Sequence, residues 1–170
     1  SNVAYRSENL IKLLLDDGYN ISWINPSFYS QEIDKPYFLA KVAYKLISKF
    51  ILVTETVCKA ALADVIYLLP MNSYFISRIL LMASLFKKKL IAEPYISMYD
   101  TIVRDKKEAA ESSRICRILK RRDRRVLTEP DYIIHISNYE IGYWEKILNI
   151  NVNRDKVFIA PLFNEANQAS

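Results

Sequence analysis

The sequence predicts an α/β domain with a mostly parallel, doubly wound sheet flanked by helices, on three observations. Apolar runs over residues 64–69, 90–97, 131–137 and 156–160 are short enough for buried strands and alternate with longer segments of helical period. Strands spaced in this way imply crossover connections and parallel pairing. No internal repeat or low-complexity linker interrupts the pattern.

Each element has its own warrant. Residues 5–17 carry Leu10, Leu13 and Leu14 on one face and stop at Gly18, which suits the left-handed position that closes a helix. Residues 20–25 read as a short strand and 26–36 as a loop, with Phe28 and Tyr29 as packing anchors. Residues 37–63 are helical, as two helices or one kinked near Ser48, because the β-branched run at 51–54 lowers helical preference. Pro70 ends the strand at 64–69, residues 73–86 return to helix, and Pro94 shortens the strand at 90–97. Helices over 112–127 and 139–148 bracket the strand at 131–137, with Ser137 and Asn138 as caps. A doubly wound sheet opens with a central strand, so one is expected before Ser1, with residues 1–7 as the loop at a site lip.

Composition excludes several chemistries. With 170 residues, 51% of them hydrophobic and 25% charged, the chain is globular and long enough to bury a core. It fits one domain or half of a two-domain protein. Two glycines, Gly18 and Gly142, cannot build a G-x-G-x-x-G loop or a P-loop. Cys58 and Cys116 lack C-x-x-C spacing and suit a reducing compartment. A single His135 excludes a His triad or His-based zinc site, and no metal is expected. No run reaches the ~18 apolar residues of a membrane span. The longest, residues 50–69, is broken by Glu55, Lys59 and Asp64, and residues 10–15 are too short for a signal peptide. A cytoplasmic location is expected, with peripheral attachment to the inner face of the cell membrane as its variant.

Chemistry is expected where residues 90–106 pass from a strand pattern into polar residues that no turn requires, since open α/β sheets bind ligands at the carboxyl ends of their strands. Candidates there are Tyr99, Asp100, Thr101, Arg104 and Asp105. Asp100 suits an acceptor of hydrogen bonds or a base, or else a turn cap. Arg104 offers a planar fork for phosphate or carboxylate, or else a surface ion pair. Tyr99 suits stacking on a sugar face, or else the rim of the core. Tyr5 and Arg6 join the site only if a strand precedes them, Arg6 then adding to a helix amino-terminus that faces an anion. His135 reads as a packed core histidine.

The second informative feature is a cationic helix. Arg114, Arg117, Arg121 and Arg124 form one stripe, with Ile115, Ile118, Leu119 and Val126 as an apolar stripe roughly opposite. With Lys87 to Lys89, Lys106 and Lys107 it concentrates much of the net charge of +5. A solvated outer face is the plain reading; attraction to an anionic membrane is the sharper one. Nucleic acid is disfavoured, because no aromatic pair of the RNA-binding type, zinc ligand set or helix-turn-helix glycine accompanies the stripe.

The run Tyr99-Asp-Thr-Ile-Val-Arg-Asp-Lys-Lys107, the Arg-rich helix ending Asp123-Arg-Arg-Val-Leu127, the strand closing at Ser137, the helix with Tyr143-Trp144 and the ending Asn153 to Pro161 together resemble the amino-terminal half of bacterial GT-B glycosyltransferases of family 4. The resemblance covers residues 5–161 as an order of elements and is locally specific only at 99–107. It implies one Rossmann-like half of a GT-B fold over residues 1–163, with 164–170 opening a linker to a carboxyl-terminal donor-binding domain of the same chain.

It also implies a retaining hexosyltransferase that takes a nucleotide-diphosphate sugar, needs no obligatory divalent metal or other cofactor, and serves envelope polysaccharide synthesis. In that family the donor is bound mainly by the other half, and this half holds a saccharide or polyprenyl-diphosphate-linked acceptor. On that resemblance Tyr99, Asp100, Thr101, Arg104, Asp105, Tyr5 and Arg6 become acceptor contacts, Asp100 the one candidate for a catalytic role, and this half alone inactive. The family's Gly-rich front loop is absent from Asn2-Val-Ala-Tyr-Arg6. The competing expectation is a non-catalytic basic α/β module that binds an anionic membrane, nucleic acid or a partner subunit.

Overall fold

The computed structural model describes residues 2–24, 38–70 and 72–160, with side chains from Glu8 in the first helix and, in the second, for Val42 and from Tyr44 onward. The expected loop at 26–36 and linker at 164–170 lie outside the described residues, as do the side chains of Tyr5 and Arg6. Two compact units make up the chain, Leu10–Ala63 in one and Ser1–Asn9 with Asp64–Ser170 in the other.

Helix α1 (Asn2–Asp16) begins at Asn2, so residues expected to form a loop are helical. No Gly or Pro interrupts them before Gly18. Gly18 takes φ 85°, and Tyr19 and Gly18 donate to the Leu14 and Leu15 carbonyls at 2.9 and 3.0 Å. That is the paired bonding of a Schellman end, as the glycine predicts. Residues 20–24 form no strand. A strand needs a ladder partner, and here the Trp23 carbonyl instead accepts from Lys59 Nζ. Helix α2 (Phe38–Leu62) runs without a break through the β-branched stretch. Thr54 and Thr56 there donate their hydroxyls to the carbonyls of Phe50 and Leu52, at 2.9 and 2.6 Å, a local bond that lets threonine sit in a helix.

The second unit carries the sheet. Its order is β1 (Val65–Leu68), α3 (Ile76–Leu85), β2 (Lys89–Ala92), a π-helix (Asp100–Asp105), α4 (Arg114–Thr128), β3 (Tyr132–His135), α5 (Asn138–Leu148) and β4 (Val157–Ile159). All three strand pairs are parallel, in the spatial order β1-β2-β3-β4. The α/β class and parallel pairing are therefore as predicted. The order contains no reversal among the described residues, so these four strands do not include the switch point that defines a doubly wound sheet.

Register and burial explain the packing. Leu68, Ala92 and Ile133 are buried and lie in one cross-strand row, Leu68 opposite Ala92 and Ala92 opposite Ile133. On their face α4 packs against both α3 and α5, contributing Leu119, Val126 and Leu127 to a core completed by Ile76, Leu90, Ile141, Trp144 and Leu148. On the other parity Tyr67, Ile91 and Ile134 are half-buried, while Tyr132 and Phe158 are exposed and meet edge to face at 5.9 Å.

Helix ends follow their capping residues. Ser113 accepts the Cys116 N–H at 3.1 Å, and Ser137 accepts those of Tyr139 and Glu140 at 3.0 and 3.4 Å. Ser137→Ala removes the acceptor at the start of α5 and is expected to cost about 1 kcal/mol, readable from the urea midpoint.

Candidate functional site

Parallel strands converge their polar loops at the carboxyl edge, and the site is built there. Beyond β2, Glu93 is buried, its N–H donates to the Leu68 carbonyl at 3.0 Å, and its carboxylate accepts the Tyr67 hydroxyl at 2.6 Å. Pro94 stops the ladder. The chain then turns at Ser97 into helical structure, where a ligand loop over 97–105 is expected. From Asp100 to Asp105 this is a π-helix, a rare form found mostly as single turns and often at functional sites. Lys106 N–H reaches the Thr101 carbonyl at 3.0 Å, and Lys107 breaks away with φ 53°.

The wider turn brings three side chains together. Arg104 Nη1 donates to the Tyr143 hydroxyl at 3.0 Å, and that hydroxyl lies 3.0 and 3.2 Å from the two Asp100 oxygens. Arg104 and Asp100 are also 3.5 Å apart directly. The chain of bonds runs Arg104 to Tyr143 to Asp100, with the guanidinium 5.8 Å from the Tyr143 ring centre. Burial raises the Tyr143 phenol above its ordinary value, helped by its bond to the Asp100 carboxylate. The hydroxyl therefore keeps its proton and donates. A carboxylate, a guanidinium fork, a phenol and an aromatic face on one rim match the hydroxyls and faces of a polyol.

The other expected contacts are placed differently. Tyr99 is buried in the core, only 6% exposed, with Lys120 Nζ 5.3 Å from its ring centre. Its ring is therefore packed rather than presented for stacking, and burial raises its phenol. Thr101 is half-buried, and Asp105 is exposed. Lys87 to Lys89 lie at the amino end of β2, the opposite edge, where Lys89 pairs with Asp131 at 2.7 Å.

Besides Tyr143, two groups at this edge escaped the sequence reading as site candidates. Asp123 of α4 is 1% exposed and accepts the Ser97 hydroxyl at 2.7 Å and the Tyr99 N–H at 2.8 Å. Burial pushes its carboxyl up to about 6, against the lowering effect of the Tyr99 N–H, the Ser97 hydroxyl and the Met98 N–H. Glu140 lies 3.8 Å from His135 Nδ1, and burial raises its carboxyl. His135 itself is a packed histidine, as expected: it is 1% exposed, edge-on to Trp144 at 4.9 Å, with Nδ1 3.1 Å from the Ser137 carbonyl.

The cationic stripe of α4 is exposed at Arg114, Arg117, Arg121 and Arg124. Its apolar counterpart is shifted. Ile115 and Ile118 are exposed, while Cys116, Leu119, Asp123, Val126 and Leu127 form the buried face. Arg125 is engaged bidentately by Glu129 at 2.6 and 2.8 Å, and Arg122 lies 4.0 Å from the Tyr74 ring centre. Arg114, Arg117 and Arg124 form no ion pair among the described residues. A hollow of about 610 Å³ opens along this helix beside Arg117, Arg121 and Arg124. No cluster that could hold a metal ion occurs among the described residues, and no helix among them is long and apolar enough to cross a membrane. Comparison with protein-family models, curated proteins and solved structures finds no match.

Proposed function

We propose that this domain is the acceptor-side half of a retaining GT-B glycosyltransferase resembling family 4, which moves a sugar from a nucleotide-diphosphate donor to a saccharide or lipid-linked acceptor. The reading rests on the Arg104–Tyr143–Asp100 cluster at the carboxyl edge of a parallel sheet, the edge at which open α/β sheets hold ligands. Asp100 accepts from an acceptor hydroxyl, and Arg104 takes a neighbouring hydroxyl or an acceptor diphosphate. Closure of a donor-binding half over this rim excludes water and presents that hydroxyl to the anomeric carbon.

In the complete enzyme, Asp100→Ala, Arg104→Ala and Tyr143→Phe are each expected to lower sugar transfer by about a hundredfold, the scale of a misplaced reactant. The assay is transfer from a panel of nucleotide sugars with folding followed by circular dichroism. Normal turnover in all three folded variants removes the site.

A second reading, attachment to an anionic membrane surface, is favoured by Arg114, Arg117 and Arg124 standing along α4 without ion pairs among the described residues. Each basic residue near such a surface contributes about 1 kcal/mol. Sedimentation with phosphatidylglycerol vesicles tests it, and equal binding to neutral vesicles rejects it.

A further inference from the structure

An acid in the interior of an arginine helix needs a reason. Asp123 is the lone acidic residue of α4, flanked by Arg122 and Arg124, and sits on the helix's buried face with 1% exposure. A surface role is excluded by that burial. So is an ion pair, since Asp123 forms none among the described residues. What it meets instead is the start of the turn that carries Asp100 and Arg104. Its Oδ2 accepts the Ser97 hydroxyl and the Tyr99 N–H, and the Met98 N–H also favours its ionised form.

A helix leaves its first N–H groups without partners, and an acceptor from the preceding residue normally satisfies them. Here helical structure begins at Met98, directly after Ser97, and Ser97 takes only the Asp100 N–H. Asp123 takes the Tyr99 N–H from another element, distant in sequence, and its negative charge suits the positive end of the helix. Ser97 links the two, donating its hydroxyl to Asp123 and accepting the Asp100 N–H at 3.0 Å.

We propose that Asp123 is the positioning residue of the Arg104–Tyr143–Asp100 site: its buried carboxylate caps the segment at 97–99 and fixes the π-helical register that brings Asp100 and Arg104 onto Tyr143. This rests on the reading of that cluster as the site. The π register is a rare choice for six residues, and a fixed starting point is what selects it over an α-helical continuation. One residue of slippage turns a helical side chain by about 100° and would carry Asp100 away from Tyr143.

Hydrogen–deuterium exchange of the intact protein at pH 7.5, read by mass spectrometry, separates this from general stabilisation. Asp123→Asn is expected to speed exchange in peptides spanning 97–108 about tenfold or more, the loss of charge-assisted bonds, while peptides spanning 89–92 and 132–135 stay unchanged. Ser97→Ala, which leaves the charge in place, is expected to give a smaller change in the same peptides and keeps the test open if Asp123→Asn does not fold. Uniform acceleration across the strands, or no change at 97–108, overturns the proposal. Asp100→Ala serves as the control for the site itself: it is expected to lower transfer about a hundredfold with exchange at 97–108 unaltered. Failure of that control on activity therefore counts against the site and not against the cap.

Discussion

Trp144→Ala is expected to lower unfolding free energy by about 3–5 kcal/mol, the range for removing a large buried aromatic side chain. The ring is 5% exposed and packs in the core face of α5, edge-on to His135 at the end of β3. Its removal leaves a cavity beside an imidazole that is itself buried, so the lost apolar contact is joined by a polar group without its packing partner. A domain with a total stability of ~5–15 kcal/mol has little margin for such a loss. Urea denaturation measures it. The same experiment on Tyr139→Ala, whose ring is 84% exposed on the same helix, is expected to give a change within about 0.5 kcal/mol. Equal losses at both positions would contradict the packing described.

Asp123 is expected to add to the stability of the fold as pH falls, against the usual direction for a carboxylate. The Asp123 carboxyl is raised from 3.8 to about 6 in the folded protein, first by burial. A raised acid binds its proton more tightly folded than unfolded, so its favourable contribution is full below about pH 4 and is lost as pH rises through about 6. The shift corresponds to at most about 3 kcal/mol between those limits. Glu140 is raised as well and acts in the same direction, whereas the lowered Glu129 and Asp131 act oppositely, losing their contribution as pH falls through their folded values. The clean observable is therefore the difference between wild type and Asp123→Asn, measured by urea melts from pH 7.5 to 4.5. Wild type is expected to gain on the variant as pH falls. A constant difference would mean that Asp123 stays ionised in the folded protein across this range, so that its carboxyl is not raised by folding.

Much of the layout was legible because it depends on local chemistry. Gly18 marks a helix end, Pro94 shortens β2, and Ser137 caps α5, each by a rule that one or two residues satisfy. The strand expected at 20–25 failed because alternation records a preference for extended backbone and not the presence of a neighbour to pair with. Residues 97–105 were recognised as the place for chemistry, yet not as a π-helix, since that register depends on Asp123 from a helix later in the chain. Asp123 had a signal, being the one acid at the spacing 116, 119, 123, 126 and 127. It was obscured because Ile115 and Ile118 draw the apolar stripe one residue out of phase. Tyr143 meets Asp100 and Arg104 only through tertiary structure.

The strand order has a consequence for how the sheet is made. Because β1, β2, β3 and β4 lie side by side in the order of the chain, each of β2, β3 and β4 leaving the ribosome meets a partner that has already been synthesised. Each pairing closes over a single crossover, Val65 reaching Lys89, Ile91 reaching Tyr132 and Ile133 reaching Val157. Closure of short loops carries the smaller entropic penalty. Vectorial assembly from β1 outward is thus open to these four strands.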